Sequence, residues 1–338
     1  MPAGKLRNSS PTHPPGAYSL PVANNTFVES QPGVSSLLES KEPGIRRSAE
    51  LEFIGEATTP REAVFEGELF QALLSGQRDD GGFGVHPYRK WSGAHWRLVS
   101  LVELGAPSGD SRLQRAVDTV LRWLGERRLR VKTVDGLPRN CASIDGNALM
   151  VCCRLGLAEE DERVETLALD LISWQWPDGG WNCDLEASGR RSSFHESLIP
   201  AWGLHEFWRA TGSERARDAS LRTAELLLEH SIFKTLEHDE VIDPSWLRLR
   251  YPPYWHYGLL PALKVLARMG LVNDPRAAQA LDILRGKRLA SGEWANEGCW
   301  WRKPGSKGSG VEVVDWGRKG PNEMLTMDAL RVLAAAVG

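Results

Sequence analysis

Three features of the sequence predict an all-α fold of about five helical hairpins closed into an α/α toroid, preceded by a disordered N-terminal extension. Amphipathic helical patterns recur at roughly 50-residue intervals, a period that marks a repeat architecture. Glycine-rich turns recur at matching places in those units. A histidine opens the apolar stripe of three of the helices that follow the turns.

The extension covers residues 1–45. It is rich in Pro, Ser, Asn and Gly, as in Pro11-Thr12-His13-Pro14-Pro15-Gly16, and lacks apolar periodicity, so it has too little to bury to offset the entropy of ordering. A polar helix is expected near Ile45–Ile54. The toroid is expected as one domain over residues 46–338.

Each unit reads as an amphipathic helix, a Gly- and Trp-rich loop, and a second helix. The turn Asp80-Gly81-Gly82-Phe83 recurs as Asp178-Gly179-Gly180-Trp181, and Ser291-Gly292-Glu293-Trp294 is a degenerate third copy. His95 is followed at helical offsets by Leu98, Val99 and Val102, His195 by Leu198, Ile199 and Trp202, and His256 by Leu259, Leu260 and Leu263. Gly146 and Asn322 hold the equivalent place in the second and fifth units. The first helices share the period, as in Val117, Val120, Leu121 and Leu124, and in Val164, Leu167, Ala168 and Leu171. A lone hairpin cannot bury its apolar face, so neighbours must stack. The second helices are apolar on most sides, notably 198–207, 258–269 and 324–337. That suits the inner layer of a closed ring better than an open solenoid.

Composition narrows the function. The net charge of −3 provides no electrostatic footprint for nucleic acid. No apolar run is long enough to span a bilayer, and the N-terminus lacks the apolar core of a signal peptide, so a cytoplasmic protein is expected. Five cysteines (Cys141, Cys152, Cys153, Cys183, Cys299) are an odd number in a large chain, which points to free thiols or metal ligands rather than a disulfide framework.

The Gln-x-x-Asp-Gly-Gly-aromatic turns at Gln77–Phe83 and Gln175–Trp181, each feeding a His-x-x-Leu helix, resemble the terpenoid-cyclase and protein-prenyltransferase α/α-toroid superfamily. Gln175–Asp184, Ser192–Ser197 and Tyr251–Tyr257 look most like bacterial prenyltransferase- or squalene-cyclase-like proteins of unestablished reaction. The resemblance covers residues 60–338 and implies a transferase- or cyclase-like enzyme with a central aromatic-lined pocket for a small hydrophobic, isoprenoid-like substrate. Two departures accompany it. The Asp-x-Asp-Asp acid of class II cyclases is missing, since Asp79-Asp80 follows Gln77-Arg78. The Asp-x-Cys zinc ligands of protein prenyltransferases are replaced by adjacent Cys183-Asp184.

In a toroid the second helices all start at one mouth. The candidate catalytic groups there are His195, His256, His95, Asp184, Glu196 and Glu323, with the helix dipoles expected to keep the imidazoles neutral. Asp145 and Asp315 belong to the same set of mouth carboxylates. Trp181, Tyr254, Trp255, Tyr257, Trp301, Arg302, Asp315 and Trp316 are the candidate substrate-contacting residues, since aromatic walls suit isoprenoid tails, sugar faces or cations. Cys183, His195 and Cys141 form a candidate metal set, with zinc the metal that thiolate and imidazole prefer. Two further readings stand beside the isoprenoid one. A carbohydrate hydrolase or lyase would use Asp184 with Glu196 or Glu323. A non-catalytic ligand-binding or scaffold protein would use the repeated histidines as loop anchors.

Overall fold

A computed structural model describes residues 31–337. Among them the helices are α1 (Pro32–Leu38), α2 (Pro43–Ala49), α3 (Glu68–Leu74), α4 (Ala94–Glu103), α5 (Ser111–Arg128), α6 (Ala142–Arg154), α7 (Glu162–Trp174), α8 (Phe194–Thr211), α9 (Glu214–Glu229), α10 (Leu259–Arg268), α11 (Ala278–Gly286) and α12 (Glu323–Val337). Two short antiparallel hairpins, β1–β2 (Lys132–Val134, Leu137–Arg139) and β3–β4 (Ala295–Asn296, Gly320–Pro321), decorate the loops before α6 and α12. The fold is the all-α toroid that the repeat pattern predicts.

The second helices of the five hairpins (α4, α6, α8, α10, α12) are buried nearly all round and form the inner layer, while α5, α7, α9 and α11 bury one stripe each. The N-terminal pair α1–α2 closes the ring between α12 and α4. Gly44 of α2 lies against the Leu104 carbonyl, and Glu52, in the π-helical turn Glu50–Ile54 that continues α2, reaches Arg331 of α12. This part of the ring lies partly within the expected extension. Val34, Leu37 and Ile45 are buried there, so residues 32–45 have a hydrophobic face after all, too short to register as a period. The expectation for residues 1–30 lies outside the described residues.

The repeated turns are hairpin clamps. Gln77 Nε2 donates to the Gly81 carbonyl within its turn and to Arg112 on the next outer helix, at 3.2 and 2.8 Å. Gln175 Nε2 does the same with Gly179 and Ala219, both at 2.8 Å. Trp181 Nε1 donates to the Leu171 carbonyl at 2.9 Å, and Trp294 Nε1 to the Leu284 carbonyl at 2.8 Å, so the degenerate third turn is a structural equivalent.

The interior is not only apolar. Glu52, Glu103 of α4, Arg154 of α6, Glu206 of α8, Lys264 and Arg268 of α10, and Asp328 and Arg331 of α12 form one connected set of ion pairs. Each side chain is less than a tenth exposed. Arg331 pairs with Glu52 at 2.6 Å and with Asp328 at 3.0 Å. Lys264 bridges Asp328, at 2.9 Å, and Glu103. Arg154 joins Glu103 at 2.7 Å to Glu206, which Arg268 holds at 2.5 Å. The four acids and four bases cancel. Burial would raise the Glu206 pKa, but Arg268 and Arg154 outweigh it and hold the carboxyl at about 2.

One contact sets the geometry of the mouth. A Cβ on Gly146 of α6 would lie 2.5 Å from the Pro200 nitrogen of α8, and one on Gly203 would lie 2.6 Å from the Gly146 carbonyl. These two glycines therefore let the α6 and α8 backbones touch. Gly146→Ala is expected to cost about 1–3 kcal/mol through overpacking, read as a lower urea midpoint. Arg331→Met strands Glu52 in the interior and leaves Asp328 with Lys264 alone, and is expected to cost about 3–5 kcal/mol, measured by the same denaturation.

Candidate functional site

With α6 and α8 in contact, their N-termini meet at the mouth. Cys141 is the N-cap residue of α6, Glu196 sits in the first turn of α8, and Cys183 hangs from the loop between α7 and α8. One ligand atom from each of the three lies within 4.8 Å of the others. Cys183 Sγ stands 3.6 Å from Glu196 Oε1, and the Ser143 amide of α6 donates to Glu196 Oε2 at 3.0 Å. The thiols are half-buried and the carboxylate is buried.

A second layer fixes this arrangement. Arg127, at the end of α5, pairs with Asp145 Oδ2 at 2.5 Å and donates to Asn140 Oδ1 at 2.5 Å and the Cys141 carbonyl at 3.2 Å. Asn140 in turn donates to Asp145 at 2.9 Å. The Cys183 thiol, hydrogen-bonding to Cys141, draws the Cys141 pKa down against burial and the Glu196 charge. That same bond and burial push Cys183 up. Burial raises Glu196.

The expected grouping of Cys141, Cys183 and His195 therefore forms only in part. Cys141 and Cys183 meet, but the third group is Glu196 and not His195. His195 turns to the α10 side, where Nδ1 accepts the Tyr257 amide at 2.8 Å and the ring packs against Trp246 and Trp255. Adjacent helical residues point about 100° apart, and here His195 faces Tyr257 while Glu196 faces Ser143 and Cys183.

The three histidines do not converge. His195 and His256 stand 6.4 Å apart between ring centroids. His95 is fully buried in a separate group with Tyr88, Trp96 and Trp123. Burial, more than the helix dipole, keeps them neutral. It lowers His195, takes His256 to about 4, and with the Arg127 charge takes His95 to about 3.

The aromatic residues close the mouth. Tyr254 stacks on Trp91 at 3.5 Å and its hydroxyl meets the buried Glu312. Trp301 donates to the Tyr251 carbonyl at 3.0 Å, Tyr257 to the Ile232 carbonyl at 2.6 Å, and Trp316 packs edge-on to Tyr251. Trp181 belongs to its hairpin clamp. Trp255, His256 and Trp300 form a half-buried stack at 3.9 Å spacings, with Lys90 over Trp255 and Arg250 over Trp300. Beneath the Tyr251–Tyr254 segment, the expected central aromatic-lined pocket is a cavity of only about 30 Å³, bounded by Trp202, Tyr251, Tyr254, Lys264 and Asp328.

Of the remaining candidates, Asp184 is exposed beside Cys183 and caps the Glu186 amide at 3.0 Å. Asp315 is exposed and accepts the Gly317 amide, while Arg302 donates to the Lys307 carbonyl in its own loop. Glu323 opens α12 near Glu42, on the arc closed by α2. Arg127, Asn140, Ser143 and Glu312 had no sequence signal, because none sits in the repeated register.

No protein-family model and no curated protein matches the chain. Solved structures that align with it include the following two. One is a GH76 alpha-mannanase from Bacteroides thetaiotaomicron, at 14% identity over 73% of this chain and 69% of that one, with a TM-score of 0.39. The other is described only as a protein from Actinoplanes, at 17% identity over 92% and 87%, also with a TM-score of 0.39. These overlays supply no residue correspondence, and the site stands on its own geometry. No helix among the described residues is long and apolar enough to cross a membrane.

The histidines also set a pH dependence. In the unfolded chain His95 takes up a proton near pH 6.5, whereas the folded chain resists it until about pH 3. Between those values the unfolded state holds more protons, so the stabilising contribution is complete above pH 6.5 and is lost as pH falls. Urea midpoints are expected to drop steadily from pH 6.5 to 4, and His95→Leu to make that slope shallower. An unchanged slope would contradict the assignment.

Proposed function

We propose that the protein is a hydrolase that cleaves a polar, carbohydrate-like substrate at the mouth of the toroid. Its reaction centre is the Cys141–Cys183–Glu196 cluster, where a water is activated, and Asp184, exposed beside Cys183, is the proton-transfer carboxylate. The observation that carries this reading is a contrast of space. The thiol–carboxylate cluster is half-open at the mouth, while the central cavity of about 30 Å³ has room for little more than a water molecule. An isoprenoid chain needs a long apolar chamber, and Tyr254, Trp91 and the buried ion pairs occupy that space.

The flanking groups favour a polar ring. The edges of Trp255, His256 and Trp300, with Lys90 and Arg250 beside them, offer apolar contact together with charge on the same rim, a mixture suited to a sugar or uronic acid.

The test is turnover of a panel of nitrophenyl glycosides, uronate oligosaccharides and isoprenoid diphosphates. The expected result is hydrolysis of a sugar substrate that falls about 10²–10⁴-fold in Glu196→Gln and Asp184→Asn and stays within a few-fold in Trp202→Phe. Turnover of an isoprenoid diphosphate that depends on Trp202 and not on Glu196 would overturn the reading.

A further inference from the structure

One edge of the mouth cluster has the length of an edge of a zinc coordination shell, and the other two fall within reach of it. A tetrahedral zinc ion with Zn–S near 2.3 Å and Zn–O near 2.1 Å requires an S···O edge of about 3.6 Å and an S···S edge of about 3.8 Å. Cys183 Sγ and Glu196 Oε1 are 3.6 Å apart, and the three ligand atoms fall within 4.8 Å of one another. We infer that Cys141, Cys183 and Glu196 bind a thiophilic divalent cation, zinc by geometry and ligand softness, with its fourth position open to water.

Three further features fit that assignment. The ligands come from three separate segments, a helix N-cap, a loop and a helix first turn, so they surround a point rather than lie along one edge. Glu196 is oriented for monodentate ligation, because the Ser143 amide occupies Oε2 and leaves Oε1 facing Cys183. The Arg127–Asn140–Asp145 cluster pins the N-terminus of α6 that carries Cys141, as outer-shell hydrogen bonds do around metal ligands. The thiols are half-buried, so solvent reaches the cluster, as a water-activating site requires.

Charge and proton balance agree. Two thiolates and one carboxylate bring three negative charges to a partly buried place, and a divalent cation cancels two of them. Each thiol gives up its proton to solvent when the cation binds, so binding weakens as pH falls. The cation would sit where the proposed hydrolysis activates its water, so the inference deepens that reading. Its test reads metal content and not turnover, which keeps the two separable. Zinc bound without any hydrolysis would count against the proposed function alone, and a folded, reduced chain that hydrolyses a sugar but binds no zinc would count against the metal site alone.

The experiment uses the full chain, purified under reducing conditions, dialysed against zinc and then against metal-free buffer. Elemental analysis is expected to give one zinc per chain. Cobalt(II) in its place is expected to give thiolate charge-transfer absorption in the near ultraviolet and the strong visible bands of a tetrahedral ion. Cys141→Ser and Cys183→Ser lose those signals, Glu196→Gln weakens cobalt binding at least tenfold, and His195→Ala retains full stoichiometry, all at unchanged helical circular dichroism. Glu196→Gln preserves shape, so it reports even if a cysteine variant misfolds. Folded, reduced wild type that binds no zinc would overturn the inference. So would a Cys141–Cys183 disulfide that persists under reduction, or loss of zinc in His195→Ala with retention in Cys183→Ser.

Discussion

The buried ion pairs at the centre of the ring are the constraint on which the rest depends. Charges taken out of water are costly, and their mutual attraction offsets that cost only when every partner is in place. Here each inner helix, and the turn after α2, supplies at least one partner, from Glu52 through Arg331, Asp328, Lys264, Glu103, Arg154 and Glu206 to Arg268. Trp202 lies between two of the cations, with Arg154 at 4.8 Å and Lys264 at 4.9 Å from its ring. A register shift of any one helix would strand a charge. The ring is thus specified by polar groups as well as held by apolar ones, and closure through α1–α2 completes the set.

That solution has a consequence for function. The same space that holds an isoprenoid chain in a hollow toroid is taken here by ion pairs, by Trp202 and by the Tyr251–Tyr254 segment above them. The thiol–carboxylate cluster of the proposed centre lies outside it, at the mouth. The close approach of α6 and α8 at Gly146 and Gly203 then brings two helix N-termini together, and with them Cys141, Ser143 and Glu196. Positive helix ends favour the anionic forms of thiol and carboxylate there, which opposes the burial that would otherwise keep them protonated.

The fold was legible in the sequence because a 3.6-residue period and a repeated turn are local signals. The Gln77 and Gln175 turns and the register of His95, His195 and His256 located the hairpins and the end at which α4, α8 and α10 begin. Cys141 and Cys183 were legible as a pair because they fall in equivalent loops of adjacent units. Glu196 was read as a mouth carboxylate but not as their partner, since that depends on which side of α8 faces α6. The crossing is set by Gly146, whose sequence signal was only a missing histidine. The ion pairs were illegible for another reason. Lys264 and Arg268 sit in a stretch whose apolar residues dominate its pattern, and their acids lie on other helices dozens of residues away. The filled centre followed from those pairs, so the expectation of an aromatic pocket did not anticipate it.

Native-state hydrogen exchange tests the account most directly. If the ion pairs bind the inner layer into one unit, the amides of α4, α6, α8, α10 and α12 will exchange with a single common opening free energy equal to that of global unfolding, while the loop at 182–193 that carries Cys183 exchanges through smaller openings. Distinct opening energies for α10 and α12 on one side and α6 and α8 on the other would contradict it, because such a ring would be two modules whose shared charges hold nothing together.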